Sequence, residues 1–190
     1  MILEAELIPR LRKGDEKAFR YLVETYQRRV YNTILALVQN AEEAEDIAQE
    51  VFVEVYETIT AFRGEAKLST WLYRIATSNA LKAIQKKKAQ KRFSFLSSLF
   101  GANNEVIYHP PDFHHPGVAL EDKEQMQHLF AAIAQLADKQ KIAFTLHHLD
   151  GLSYQEIAEV MQTSLSSVES LIHRAKQNLK KQLKYILIFH

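Results

Sequence analysis

Phe19, Leu22, Val23, Tyr26, Val30, Ile34 and Val38 recur at spacings of three and four, the apolar stripe of one long helix. Gly14-Asp15 precedes the stripe, and Asp15 can cap a helix N-terminus. A second stripe follows in Ala44, Ile47, Ala48, Val51, Phe52, Val55, Tyr56 and Ile59. The segment Phe62-Arg63-Gly64-Glu65-Ala66-Lys67-Leu68 breaks the period and reads as a loop. Ser69 or Thr70 is then expected to cap a third helix carrying Trp71, Leu72, Ile75, Ala76 and Ile84.

From residue 93 the period is lost. Residues 93–120 hold most of the chain's prolines, two glycines and an Asn pair, and read as a flexible linker with one short helical turn near 95–100. A flexible segment of that length spans about 30 Å when relaxed. Periodicity resumes at Glu121 with Met126, Leu129, Phe130, Ile133 and Leu136. Asp138 is expected to cap the next helix, which carries Ile142, Ala143, Leu146 and Leu149 and ends at Asp150-Gly151. Ser153-Tyr154-Gln155-Glu156 is a capping box opening a short helix with Ile157, Ala158, Val160 and Met161. Ser166-Ser167-Val168-Glu169 reads as a second box, opening a helix with Val168, Leu171, Ile172, Ala175, Leu179 and Leu183 inward. The apolar tail Ile186-Leu187-Ile188-Phe189 is expected to pack on that helix. No strand-like alternation and no repeat occur. The expectation is an all-α protein of two small helical domains, 1–92 and 121–190, joined by the linker 93–120, with a C-terminal helix-turn-helix.

Composition narrows the chemistry. The 190 residues include no Cys, which excludes disulfides, thiolate zinc sites and a Cys nucleophile and suits a reducing cytoplasm. No apolar run approaches the roughly 18 residues needed to cross a bilayer, and the first residues lack a signal peptide's apolar core. Glu45 and Asp46 cannot share a helix face as an acid–base pair. No Gly-rich phosphate loop occurs, and His109, His114 and His115 sit in the Pro-rich linker, where a fixed metal geometry is not expected. Neither catalysis, cofactor nor metal is expected.

The net charge of +1 conceals segregation. Residues 42–57 carry only acidic charges: Glu42, Glu43, Glu45, Asp46, Glu50, Glu54 and Glu57. Residues 82–92 carry only basic ones, Lys82, Lys86, Lys87, Lys88, Lys91 and Arg92, and residues 174–184 are again basic. Basic helix ends suit phosphates, and an acidic helix suits a basic protein surface.

A short helix, a tight turn and a second helix with a basic outer face form a DNA-reading unit, because the major groove admits one helix braced by another. Ser166, Ser167, Glu169, Ser170 and His173 would lie where base edges are reached, with Arg174, Lys176 and Lys180 at phosphates. An ordinary helical hairpin shows the same pattern, and a stand-alone dimeric regulator would also use it. That regulator leaves the acidic helix without a role.

Ala44-Glu45-Asp46-Ile47-Ala48-Gln49-Glu50-Val51-Phe52 closely resembles a signature of the extracytoplasmic-function (ECF) sigma factors of the sigma-70 family. Ser69-Thr70-Trp71-Leu72-Tyr73-Arg74-Ile75-Ala76, with Asn79 after it, resembles a second segment of that family. Gly14-Asp15 with Ala18-Phe19 resembles its opening. Leu152 to Ala158 and Val168 to Ala175 resemble its second domain. Order and spacing agree over nearly the whole chain except the linker.

The resemblance implies a role for each part. Asp46, Gln49, Glu50 and Glu54 would dock on the coiled coil of the RNA polymerase β′ subunit, and the second domain would meet the β flap. Loop 63–69 and the third helix would read the promoter −10 element as a single strand through Arg63, Lys67, Arg74, Ser78, Asn79, Lys82 and Lys86. The second domain would read the −35 element as duplex. Trp71, on the apolar stripe, is assigned to core packing rather than base stacking. Primary sigma factors carry an aromatic pair where Arg74 and Ile75 stand here, which implies weaker melting and stricter promoter choice. Many relatives are restrained by a membrane-bound anti-sigma factor. Action in the cytoplasm, in response to a stress or envelope signal, is implied as well.

Overall fold

The computed structural model describes residues 3–99 and 123–188, so the linker histidines His109, His114 and His115 lie outside the described residues. Those residues form eight α-helices and one 3-10 turn: α1 (Glu4–Arg12), α2 (Glu16–Val38), α3 (Ala41–Thr58), the turn Ile59–Ala61, α4 (Leu68–Leu99), α5 (Lys123–Ala134), α6 (Asp138–His148), α7 (Tyr154–Met161) and α8 (Leu165–Ile188).

Helices α2 and α3 follow the apolar stripes closely. Asp15 caps α2, its Oδ1 accepting from the amides of Lys17 and Ala18 at 2.9 and 3.1 Å. Gln39 turns the chain in a left-handed conformation (φ 55°) and Asn40 caps α3 by accepting from the Glu43 amide. Helix α1 is not foreshadowed by a stripe, since its buried face is only Leu7 and Leu11. It supports α4 directly. Glu4 Oε1 accepts the Leu68 amide at 2.5 Å, placing a carboxylate at the N-terminus of α4. Ser69 and Thr70 therefore lie inside α4 rather than capping it, because the orphan amide finds its partner 64 residues away.

Other caps also differ from expectation. Asp138 is the first residue of α6, where Ala137 stands as an uncapped N-cap, and the Asp138 carboxylate takes Lys88 Nζ at 2.6 Å instead. Helix α8 starts at Leu165, and Ser164 Oγ, not a box at Ser166, accepts the Ser167 amide at 3.2 Å. The box at Ser153 and Glu156 is present in full. Helix α4 runs on to Leu99, past residue 92. Of the apolar tail, α8 extends through Ile188, and the side chains there are outside the described residues.

The two halves share one buried cluster. Leu22, Ile34, Leu35 and Leu72 from α2 and α4 are continuous with Ile133, Leu146, Ile157 and Ile172 from α5 to α8. Contacts run from α2 to α5 and α6 and from α4 to α7. Two domains joined only by a tether would lack this docking. Polar contacts reinforce it: Gln39 Nε2 donates to the Phe130 carbonyl at 2.5 Å, and Thr33 Oγ1 meets the Asp150 carboxyl.

The caps yield a stability test. Ser153→Ala, which removes a complete box, is expected to lower unfolding free energy by about 1 kcal/mol, whereas Ser166→Ala stays within about 0.5 kcal/mol, both read by urea denaturation.

Candidate nucleic-acid interface

The acidic helix keeps its charges in solvent. Asp46, Gln49 and Glu50 are exposed on α3, and with Val53, Glu54 and Glu57 they border an open groove of about 700 Å³ that reaches Lys82. Val53 is 57% exposed, so an apolar side chain stands among carboxylates, an arrangement that suits a protein contact. On the other flank of α3 an apolar-walled cleft of about 550 Å³ lies against α2, lined by Val23, Arg28, Tyr31, Ala48 and Phe52 and ending at Gln49. Sequence reasoning missed this cleft. The available signal was Tyr31, an aromatic residue just off the α2 stripe.

Glu54 differs from the other three expected polymerase contacts. It is partly buried and its Oε2 accepts from Asn79 Nδ2 at 2.9 Å, while Lys82 Nζ donates to Asn79 Oδ1 at 3.1 Å. The Asn79 amide is therefore held at both ends. Arg74, Ser78, Lys82 and Lys86 follow at steps of four, so they form a slowly turning stripe along α4. Ser78, Lys82 and Lys86 are exposed.

At the start of α4 the expected single-strand site is a cleft of about 500 Å³, lined by Phe62, Arg63, Glu65, Trp71, Arg74 and Glu159. Arg63 is open to solvent, with Glu65 at 3.7 Å. Trp71 is partly buried: its ring packs on Phe62 at 5.0 Å between centroids, and its open edge lines the cleft. It serves the core and borders the site at once. Two cations at the start of α4, Arg74 on the cleft wall and Lys67 just before the helix, are engaged by the second half. Lys67 Nζ sits 2.8 Å from Glu156 Oε1, and Arg74 Nη2 donates to the Glu159 carbonyl at 2.8 Å. The Lys67 ammonium, followed by the Ser153 amide and hydroxyl, holds the Glu156 carboxyl at about 2, and Lys67 is raised in turn. Arg74 Nε is buried with no partner.

Helix α8 is open on the face expected to read bases. Ser166, Glu169, Ser170, His173, Arg174 and Lys176 are exposed and Ser167 is partly so. Ser164 and Ser166 hydroxyls lie 3.1 Å apart, and His173 Nε2 pairs with Gln177 Nε2 at 2.9 Å. Val168, Ile172, Ala175 and Leu179 point inward. Ala158 on α7 is buried and small, which permits close helix crossing. Among the described residues no cluster of metal-ligating side chains occurs, and no helix is long and apolar enough to cross a membrane.

An unobstructed reading helix, a basic stripe and an exposed acidic helix define a DNA-reading factor that also engages a protein. Residues 22–90 match the family described as Sigma-70 region 2, and residues 127–179 match Sigma-70, region 4. The chain is similar to the RNA polymerase sigma-H factor of Pseudomonas aeruginosa, with 33% identity over 184 residues, covering 97% of this chain and 95% of the relative. It is also similar to the ECF RNA polymerase sigma factor SigW of Bacillus subtilis, 34% identical over 179 residues and covering 93% and 95%. The fold resembles CnrH in complex with the cytosolic domain of CnrY (TM-score 0.69, 18% identity, 96% and 97% covered). It also resembles the sigma factor RpoE in complex with the anti-sigma factor NepR from Bartonella quintana (TM-score 0.65, 20% identity, 88% and 98% covered). The chain belongs to the sigma-70 family, in its ECF group. It is a transcription initiation factor, not an enzyme: it binds core RNA polymerase and directs promoter recognition.

The chain's one tryptophan reports on the cleft. Lys67→Glu sets like charges against Glu156, and acrylamide quenching of Trp71 is expected to rise from an intermediate value toward that of an exposed indole.

Proposed function

We propose that three surfaces share the work of initiation. The exposed line Asp46, Gln49 and Glu50 on α3, with Val53, docks on the coiled coil of the polymerase β′ subunit. Glu54 contributes by orienting Asn79. The observation supporting this division is that the first three are exposed while Glu54 is engaged by the Asn79 amide.

Arg63, Lys67, Arg74, Ser78, Asn79, Lys82 and Lys86 receive the −10 element as a single strand. Extruding a base costs a few kcal/mol, which contacts in the 500 Å³ cleft offset. Ser166, Ser167, Glu169, Ser170 and His173 read the −35 duplex from α8, Arg174 and Lys176 hold phosphates, and this half also meets the β flap. In this assignment 1–92 and 121–190 act as the two functional domains. The protein works in the cytoplasm, responds to a stress or envelope signal and is restrained by an anti-sigma factor, in keeping with the complex of the Bartonella quintana relative. A membrane-bound form of that restraint is part of the proposal.

Reconstituted transcription tests the reading. With core polymerase the protein is expected to select discrete start sites on genomic templates, and a lack of selection on every template would sink the proposal. Asp46→Lys with Glu50→Lys is expected to weaken core binding by at least about tenfold, because like charges then face the partner. Arg174→Ala weakens promoter complexes whatever the −35 sequence and reduces the salt slope by about 1.

A further inference from the structure

The junction between the halves has a carboxyl at its centre. Asp150, in the turn after α6, is partly buried against α2 and α4. Thr33 Oγ1 lies 2.9 Å from its Oδ1 and 3.0 Å from its Oδ2, and the Tyr73 hydroxyl also hydrogen-bonds to it. Arg29 and Tyr26 face the same site from α2. Arg29 draws the carboxyl down by its charge without forming an ion pair with it. On the turn's own side stand His147 and His148. Their contacts, to Leu152, Tyr154 and Phe144, stay within the second half.

One hydroxyl proton cannot serve every contact of Thr33. Its Oγ1 is also 2.9 Å from the Arg29 carbonyl, which can only accept. Two arrangements satisfy the site. With Asp150 neutral, the acid donates to Thr33 and Thr33 donates to the Arg29 carbonyl. With Asp150 ionised, Thr33 must turn to the carboxylate, leaving a charge in a junction with no paired cation. Elsewhere in the junction the Lys67–Glu156 pair keeps its charges near neutral pH, since Lys67 holds the Glu156 carboxyl at about 2 and is itself raised.

We propose that Asp150 is a proton-dependent latch that holds α7 over the Lys67–Arg74 face, closing the chain on itself until core polymerase or loss of the proton releases it. The occlusion part rests on the assignment of that face to the −10 strand, whereas the latch itself does not. Burial lifts the Asp150 carboxyl from 3.8 to about 7, against the opposing pull of Thr33, Arg29 and Tyr73. A value raised in the closed form means that closure is best supported at low pH. That support declines as pH rises between the exposed and buried values and is spent above about 7. The closed-to-open ratio should change by up to about tenfold per pH unit within that window.

The cysteine-free chain allows a direct test. Labels on Glu24→Cys and Lys180→Cys, both exposed positions on opposite halves, report the separation by energy transfer in the full-length protein, with neither DNA nor polymerase present. Wild type is expected to move from a short-distance to a long-distance population between about pH 5 and about pH 8. Asp150→Asn, a neutral isostere, should remain closed throughout and lose the dependence. Should the asparagine variant reproduce the wild-type profile, or wild type show no change across the range, the latch is refuted. Thr33→Val provides an independent arm, with far-ultraviolet circular dichroism confirming helicity. It should lower the closed fraction several-fold at about pH 5, and an unchanged fraction also refutes the latch. Binding of a −10-like single-stranded oligonucleotide, followed by Trp71 emission, separates the two claims. If the halves part with rising pH while Trp71 never responds, the latch stands and the DNA assignment of the α4 face fails.

Discussion

The arrangement depends on α2 being wrapped by its neighbours. Thr33, Ile34, Leu35, Ala36 and Leu37 are five consecutive buried positions, so the C-terminal part of this helix has no solvent side. A helix apolar all round can persist only if other elements cover every face. Helices α3 and α4 cover two sides, α5 and α6 bring the second half onto the rest, and α1 adds a contact. The one polar member, Thr33, reaches both the Arg29 carbonyl of its own helix and, across the junction, the Asp150 carboxyl. The docking of the halves follows from the need to enclose this segment.

Helix α4 is shaped by opposite demands. Its early part is anchored by Leu68, Leu72, Ile75, Ala76 and Ala80, all buried, while Ser78, Lys82 and Lys86 turn outward. Beyond Ile84 its residues are exposed as far as residue 94, and cross-element ion pairs tie it down: Lys87 to Glu43 at 2.5 Å and Lys88 to Asp138 at 2.6 Å. Such exposed pairs are individually worth little. They set the direction of the helix more than they stabilise it. Charges that a sequence reading treats as one basic patch are thus divided, with Lys82 and Lys86 open to solvent and Lys87 and Lys88 already partnered.

Periodicity is a sound guide wherever a helix buries one stripe. The α2 and α3 stripes, the Ser153 box and the inward set of α8 are all legible for that reason. It fails where the determining partner is distant. Nothing near Leu68 announces that Glu4 will accept its amide, and nothing near Asp138 announces Lys88. Asp150 looks like a helix stop, which it is, but its second role exists only through Thr33 and Tyr73. One clue to the docking does stand in the sequence: the run Thr33-Ile34-Leu35-Ala36-Leu37-Val38 has no polar face at all, a sign of burial on every side. For the site, residue types foretell exposure for Asp46, Gln49 and Glu50 but not the capture of Glu54 by Asn79.

The uninterrupted length of α4 has a geometric consequence. At 1.5 Å per residue, its 32 residues make a rod of about 48 Å that starts beside Trp71 and ends at Leu99. The described first half therefore ends at the tip of a stiff arm, far from the cleft at Trp71. The docking of α7 on α4, and not the far tip of that arm, sets where α8 lies relative to the cleft.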